Sequence, residues 1–223
     1  MTNIVRNVLV YGAGQIAELV HYYLSNDSHH AVCGFIVDDE FPHTGEFCGL
    51  PIVSPATVLN DYPPRDFAMF VAISYSSMNA DRRRKCEWAR VNGYELISYV
   101  SSRATTYPNL KIGDNCLVLE NNTLQPFVTI GNNVFLWSGN HIGHHSVIRD
   151  DAFVSSHCVI SGNCVVGERS FLGVNCTLQN GVHVGAACFI GPGSLIKDDV
   201  VDEAVLLERA TPTEKITSRF LRL

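Results

Sequence analysis

The 223-residue chain has few of the features that mark membrane and nucleic-acid-binding proteins. No apolar stretch approaches the length that a bilayer requires, and no signal peptide precedes Asn7. Basic clusters are scarce, and the net charge is −6 with a pI near 5.8. The one basic run, Arg82 to Lys85, falls in a predicted helix over 80–92 and is interpreted as a solvated face. We predict a cytoplasmic protein with neither a nucleic-acid nor a membrane partner.

One period dominates the C-terminal half. From Ile112 to Ile196, every sixth residue is aliphatic, fifteen positions in all. Six residues fit neither the 3.6-residue period of a helix nor the alternation of an isolated strand. They fit three short strands per coil, stacked into a parallel β-helix of five coils.

A second register lies four residues after each aliphatic position and holds small, polar or β-branched residues that fit where the chain turns. Glycine directly follows seven aliphatic residues, where a tight corner is expected. Five of the eight cysteines occupy the second register, and there is no CxxC motif, so we predict packed thiols rather than disulfides or a metal site. Those five are Cys116, Cys158, Cys164, Cys176 and Cys188. We also expect Cys33, Cys48 and Cys86 to be buried.

The N-terminal hundred residues alternate strands with helices and predict a small parallel α/β sheet. The expected strands cover 7–11, 31–37, 67–73 and 96–100. We place the domain boundaries at 1–99, 100–203 and 204–223, the last segment being a C-terminal cap with a short helix over 214–221.

The first strand runs into a Gly-x-Gly turn, Gly12 to Gly14, that opens a helix. Loop amides and a helix N-terminus at such a turn favour an anion. The third glycine of the dinucleotide motif is absent, since Ala17 stands there, whereas Asp38 and Asp39 lie about where a ribose-binding carboxylate would stand. A mononucleotide or nucleotide-sugar site fits this short domain, and a purely structural domain is the alternative.

Four histidines lie within seventeen residues, at 141, 144, 145 and 157. The register places Ile142 and Ser146 inside, so His144 and His145 face outward, toward a groove that could form between subunits. Acyl transfer to an amine or hydroxyl needs a base, which imidazole supplies near neutral pH, and a donor for the oxyanion. A solvated or interface-packing histidine is the alternative.

The whole pattern resembles the hexapeptide-repeat acyltransferases, and within them the nucleotide-sugar acetyltransferases related to sialic-acid O-acetyltransferases and bacillosamine- and perosamine-type N-acetyltransferases. The segments that carry the resemblance are 10–14 (VYGAG), 35–39 (FIVDD) and 49–53 (GLPIV), followed by the repeats. The resemblance implies an α/β Rossmann-like N-terminal domain followed by a left-handed parallel β-helix with a C-terminal cap. It also implies a homotrimer with active sites between subunits.

By the same resemblance, His144 in the segment 142–148 is the general base of an acetyl-CoA-dependent reaction without a metal. His145 stands where relatives often have an acidic residue and is taken as a second catalytic residue, while Asp150 or Asp151 could orient His144. The implied substrate contacts are Gly12, Gly14, Gln15, Asp38, Asp39, Ser74 and Asn140. The implied acetyl-CoA contacts are Phe153, His157, Gly162, Gly173, Asn175 and Gly191.

The favoured function is N-acetylation of a nucleotide-linked amino sugar, a 4-amino-4,6-dideoxyhexose by family analogy, for surface glycan biosynthesis such as lipopolysaccharide O-antigen. Sugar O-acetylation uses the same base and groove and stays open, as does the nucleotide. Two alternatives come from other classes: a zinc hydratase of the γ-carbonic-anhydrase type and a non-catalytic β-helix scaffold.

Overall fold

The computed structural model describes residues 5–41 and 45–209, which form an α/β domain followed by a parallel β-helix. The elements of the α/β domain are β1 (Asn7–Tyr11), α1 (Gln15–Asn26), β2 (Ala31–Ile36), β3 (Glu46–Phe47), β4 (Leu50–Val53), α2 (Val58–Asp61), β5 (Phe67–Val71), α3 (Ala80–Val91) and β6 (Glu95–Leu96). Within this part of the chain, no helix is long and apolar enough to span a membrane.

The six strands lie in the order β3-β4-β2-β1-β5-β6, and every pair except β3–β4 is parallel. The central strand β1 is almost continuously apolar because helices and the β-helix cover both sides of the sheet. The carboxyl ends of β1, β2 and β5 meet at one edge. The turn at Gly12, the acidic pair that begins at Asp38, and Ser74 therefore lie along that edge.

The strand predicted over 96–100 is wrong as a single element. Glu95–Leu96 pairs with β5, whereas Tyr99–Val100, which we call β7, pairs with Leu117–Val118 of the β-helix. Ser98 makes the transition, since its Oγ donates to the carbonyl of Gly113 and accepts the amide of Cys116, both at 2.8 Å. The chain thus leaves one sheet and enters the next within two residues.

The β-helix is a three-sided, left-handed prism, as expected, whose faces contain seven, five and five parallel two-residue strands. The first face contains Tyr99–Val100, Leu117–Val118, Phe135–Leu136, Phe153–Val154, Phe171–Leu172, Phe189–Ile190 and Val205–Leu206. The second face contains Thr123–Leu124, His141–Ile142, Val159–Ile160, Thr177–Leu178 and Leu195–Ile196. The third face contains Lys111–Ile112, Thr129–Ile130, Val147–Ile148, Val165–Val166 and His183–Val184.

The six-residue aliphatic series fills the interior of the prism. Fourteen of its fifteen members are no more than 4 % exposed, and Ile112 packs partly buried against the same core. Burying aliphatic side chains in this way contributes about 1.5–3 kcal/mol for each. The prediction of a β-helix is confirmed down to the residue that points inward in each strand.

The second register makes hydrogen bonds as well as filling space. Asn140 Oδ1 accepts the amide of Cys158 at 2.7 Å in the next coil, and Ser146 Oγ accepts that of Cys164 at 3.1 Å. The Sγ of Cys164 in turn donates to a carbonyl at 3.2 Å. All eight cysteines are free, and the five in this register are buried; burial raises the pKa of the Cys116 thiol to about 12. Small polar residues therefore tie one coil to the next.

Outside the β-helix, the expectation of buried cysteines holds for Cys86 alone. Cys33 is half-buried and Cys48 is exposed.

The corners confirm that the residue directly after each of the seven aliphatic positions has no room for a Cβ. The left-handed residue of a corner lies three positions after the aliphatic one and is Asn more often than any other residue, as at Asn133 with φ 56°. The glycines that directly follow the aliphatic residues are instead needed for space. A Cβ on Gly143, for example, would lie 2.5 Å from the amide nitrogen of Gly162 in the next coil.

An aromatic ladder on the outside of the first face supports the α/β domain. It repeats every eighteen residues, one coil apart, at Phe135, Phe153, Phe171 and Phe189, and the last two rings stack at 5.1 Å. Phe135 and Phe153 belong to the same buried cluster as strand β1.

Arg82 is fully buried where the domain meets the prism, so the interpretation of its run as a solvated face is wrong at this residue. Its Nε donates to Asn133 Oδ1 at 2.9 Å, and its Nη2 to the carbonyls of Asn133 and Asp151 at 3.2 and 3.1 Å. Its Nη1 donates to Asn79 Oδ1 at 3.1 Å and to the Ser74 carbonyl at 3.3 Å. Burial lowers the pKa of Arg82 to about 10, which still leaves it charged.

At the C-terminal end, Val205–Leu206 still forms a strand, pairing with Phe189–Ile190, although 204–223 was predicted as a cap. The predicted helix over 214–221 lies outside the described residues.

Candidate functional site

The carboxyl edge of the α/β sheet, which we call the Gly12 edge, contains most of the predicted substrate contacts. Gly12 has φ 120°, and a Cβ there would lie 3.0 Å from the carbonyl oxygen of Ala72, so this position requires glycine. Gly14 precedes α1 as its N-cap and is exposed with Gln15, the first helical residue. The helix N-terminus therefore opens to solvent, as an anion site requires.

Asp38 lies at this edge, but its carboxylate already has two partners. It accepts the Tyr11 hydroxyl at 2.5 Å and Lys85 Nζ at 2.7 Å, and Lys85 Nζ also lies 5.2 Å from the centre of the Tyr11 ring. Burial and the bond to Asp38 raise the pKa of Tyr11 far above its usual value. Asp39 beside it is exposed. Tyr11 and Lys85 are thus residues of this edge that the sequence analysis missed. The only signal for Lys85 in the sequence is that it lies one helical turn after Arg82 and therefore on the same side of the helix.

Ser74 lies in the loop between β5 and α3, which contacts the prism. The loop continues through Ser77, Met78 and Asn79, three consecutive non-glycine residues in the left-handed region with φ 51°, 50° and 63°. Asn79 is fully buried, and its Nδ2 donates to the carbonyl of Arg169 at 3.1 Å. The strained loop is therefore held in place by contacts to the β-helix.

His144 and His145 are exposed at the corner between the second and third faces, which we call the His144 corner. The two Nδ1 atoms are 3.1 Å apart. Gln125, one coil earlier, accepts the His144 amide at 2.9 Å, and the His145 ring packs against Phe127 with centroids 4.7 Å apart. His144 and His145 thus point outward, as the register predicted.

Gly162 lies in the next coil, against the His144 ring. A Cβ on Gly162 would be 2.7 Å from Cε1 and 2.8 Å from Nε2 of His144. Gly162 is thus the one predicted cofactor residue that the structure brings to His144, and its missing side chain makes room for the imidazole.

Neither Asp150 nor Asp151 orients His144. Both lie at the corner between the third and first faces, where Asp150 accepts the Asn132 amide and Asp151 accepts Asn133 Nδ2, at 2.8 and 2.7 Å. Burial raises the pKa of Asp151. The side chain in contact with His144 is His145.

The other predicted acetyl-CoA contacts lie elsewhere. Phe153 is buried in the aromatic ladder under Tyr75, with ring centroids 5.2 Å apart, which leaves it no room for a cofactor. His157 is exposed at the corner between the first and second faces. That corner also contains Gly173, Asn175 and Gly191.

Asn140, a predicted substrate contact, is 1 % exposed. Both ends of its amide are bonded inside the β-helix, Nδ2 to the Trp137 carbonyl and Oδ1 to the Cys158 amide. It is therefore a coil-stacking residue and is not open to a ligand in this structure.

The two exposed clusters lie on opposite sides of the chain. The α/β domain packs on the first face, and the corner between the other two faces is the one opposite it. The Gly12 edge and His144 consequently do not share one cleft. Among residues 5–41 and 45–209, no three His, Cys, Asp or Glu side chains come together as a metal site.

Fold and site together define a two-domain class of protein, in which an α/β domain with a Gly-x-Gly turn is followed by a left-handed hexapeptide β-helix. Residues 109–144, 127–162 and 163–198 match the bacterial transferase hexapeptide family (six repeats). No curated protein matches the chain.

Solved structures, among them two acetyltransferases, share the architecture of this chain. The acetyltransferase domain of PglB from Neisseria gonorrhoeae FA1090, a protein also solved with acetyl coenzyme A, is 24% identical with a TM-score of 0.82, covering 91% of this chain and 97% of its own. PerB from Caulobacter crescentus, in complex with CoA and GDP-perosamine, is 23% identical with a TM-score of 0.79, covering 91% and 94%. WeeI from Acinetobacter baumannii AYE is 17% identical with a TM-score of 0.56, covering 92% and 97%.

Proposed function

We propose that this chain is an acetyl-CoA-dependent N-acetyltransferase that acts on a nucleotide-linked amino sugar. The observation that carries the proposal is the combination of an exposed imidazole pair on a hexapeptide β-helix with a nucleotide-type edge on the attached α/β domain. Similar structures bind CoA together with GDP-perosamine, or acetyl coenzyme A, which supports the same two ligands here.

The chemistry needs one base. The acceptor amine attacks the carbonyl carbon of the acetyl thioester and loses a proton to His144 Nε2. The tetrahedral intermediate then breaks its C–S bond, and the departing CoA thiolate takes the proton from His144, which restores the base. A backbone amide of the prism donates to the oxyanion that forms in between. Imidazole is suited to this role because it titrates near neutral pH. No metal takes part in this scheme.

The Gly12 edge would bind the nucleotide. The exposed amides at Gly14 and Gln15 and the N-terminus of α1 favour the phosphates. Lys85 provides a positive charge at the same edge. Asp38 positions Lys85 and Tyr11, and the exposed Asp39 is free to contact the ribose or the base. Ser74, in the loop after β5, is also a proposed contact of the substrate.

The active site would lie between subunits of a homotrimer. The Gly12 edge and the His144 corner are on opposite sides of one chain, so the sugar of a nucleotide bound to one chain would reach the His144 corner of another. Acetyl-CoA would lie along the coils beside that corner, with Gly162 near its thioester. His157, Gly173, Asn175 and Gly191 at the other corner are candidates for the remainder of the cofactor.

The site between subunits can be tested by mixing two inactive variants. Co-assembly of Asp38→Ala subunits with His144→Asn subunits should restore part of the activity, because some sites then combine an intact edge with an intact corner. If the site lies within one chain, the mixture stays inactive.

A thiol-release assay tests the activity. Acetyl-CoA is supplied with matched nucleotide-linked 4-amino-4,6-dideoxy and 4-hydroxy sugars carrying dTDP, UDP or GDP. We expect release with an amino sugar, and a loss of about 10²–10⁴-fold in His144→Asn, the usual contribution of a general base. The exposed His29 is the matched control, and His29→Asn should keep full activity. Turnover of hydroxy sugars alone would replace the proposal with O-acetylation, and no release with any sugar would overturn it.

A further inference from the structure

The two imidazoles of the His144 corner form a hydrogen bond with each other. Their Nδ1 atoms are 3.1 Å apart, and the ring planes cross at 85°. At this distance one nitrogen must carry a hydrogen and the other a lone pair. The contact therefore couples the tautomer of one ring to that of the other.

Each ring is also held from a second direction. His145 packs on Phe127, and its backbone occupies the left-handed corner position with φ 60°. His144 is held through its amide by Gln125, and the Cε1–Nε2 edge of its ring lies over Gly162. The geometry of the pair is thus set by two neighbouring coils.

Two hydrogen arrangements satisfy the bond, and only one leaves a base. If His144 Nδ1–H donates to His145, Nε2 of His144 keeps its lone pair; if His145 donates, Nε2 of His144 carries the hydrogen and cannot accept another. We propose that His145 is a positioning residue, accepting the Nδ1–H of His144 and so holding His144 in the tautomer whose Nε2 can take a proton. For its kinetic consequence, this inference rests on the proposed acetyl transfer.

The arrangement also serves the charged state. When Nε2 takes the acceptor's proton, the positive charge spreads over the His144 ring, and its Nδ1–H becomes a stronger donor to the lone pair on His145. His145 stays neutral throughout and receives no proton. His145 thus orients the catalytic imidazole with a neutral ring, a role that a carboxylate has in other enzymes.

Two substitutions of His145 are compatible with the left-handed backbone at this corner and differ in whether they keep a hydrogen-bond acceptor. Gly139 and Asp151 occupy the equivalent left-handed position at other corners, with φ 79° and 63°, so His145→Gly and His145→Asp both suit the backbone. Asp Oδ1 is attached to Cγ, as His Nδ1 is, so aspartate keeps an acceptor at nearly the same place. Glycine removes it.

The tautomer is read by ¹⁵N NMR of the full-length protein labelled at histidine, with the His144 signals assigned from His144→Gln. We expect a protonated Nδ1 and a pyridine-type Nε2 in the native protein and in His145→Asp, but a mixture of tautomers in His145→Gly. In the acetylation assay, His145→Gly should lose about 10–100-fold in kcat with both KM values unchanged, the usual effect of losing an outer-shell partner. His145→Asp should stay within about 3-fold of the native rate because it keeps the acceptor.

A native His144 that carries its hydrogen on Nε2 would overturn the inference, as would a His145→Gly variant with an unchanged tautomer and rate. The NMR measurement does not depend on acetyl transfer. If no sugar is acetylated but the tautomers behave as expected, the proposed function fails while the positioning role stands.

Discussion

The coils of the β-helix and the boundary between the two domains are held together by different kinds of contact. Between coils, the same bond recurs every eighteen residues, as between Asn140 and Cys158 or Ser146 and Cys164. At the boundary, the guanidinium of Arg82 donates to six acceptors and lies 4.1 Å from the centre of the Phe135 ring. Hydrogen bonding in the prism is therefore spread over equivalent positions, whereas at the boundary a single side chain, Arg82, makes six hydrogen bonds.

The largest effect is expected at Arg82. Arg82→Ala leaves the buried Asn79 Oδ1 and the carbonyls of Asn133 and Asp151 without this donor, which should cost about 3–5 kcal/mol of unfolding free energy. Urea denaturation measures it. The control is Arg84→Ala, since Arg84 is exposed and pairs only at the surface with Asp81, for which we expect less than about 1 kcal/mol. Equal losses in the two variants would mean that the boundary has no concentrated contact.

The next largest effect is expected in the interior of the prism. Because its coils have equivalent surroundings, the same truncation in two coils should lower the free energy of unfolding by the same amount. Ile148→Ala and Ile160→Ala each remove a fully buried side chain from a different face, at about 2–5 kcal/mol apiece. The two values should agree within about 1 kcal/mol, because cavities of equal size form in equivalent surroundings. A much larger difference between them, in the same urea experiment, would contradict the idea that the coils are energetically alike.

The same contrast explains what the sequence could and could not predict. The inward positions of the prism and the outward phase of His144 follow from one period, because each coil repeats the surroundings of the last. Arg82 and Lys85 look like any basic helix face until the partners Asn133 and Asp38, 51 and 47 residues away in sequence, are known. The aromatic ladder under the α/β domain could have been found, since Phe recurs every eighteen residues from Phe135.

A smaller effect, on kcat, should distinguish the His144 corner from the corner that contains His157. Gly162→Ala puts a methyl group 2.7 Å from the His144 ring, and Gly139→Ala puts one 2.6 Å from His157. Displacing a catalytic group by about 1 Å can cost about 10²-fold. We therefore expect Gly162→Ala to lose about 10–100-fold in kcat, and Gly139→Ala to cost about 1 kcal/mol of stability for its positive φ with kcat unchanged. The reverse pattern of rates would move the base to His157.

The smallest effect concerns a second tie across the boundary, made by Asp27 after α1. Its Oδ2 accepts Tyr99 Oη, Ser101 Oγ and the Ser102 amide at 2.5, 3.1 and 2.9 Å. Burial works against ionisation, but these bonds outweigh it and hold the pKa of Asp27 at about 2, below the ordinary 3.8. A lowered pKa stabilises the fold above 3.8, and the gain disappears as the pH falls from 3.8 toward 2. Urea midpoints measured across that interval should fall less steeply for Asp27→Asn than for the native chain. Parallel curves would show that the carboxylate contributes nothing to joining α1 to the first coil.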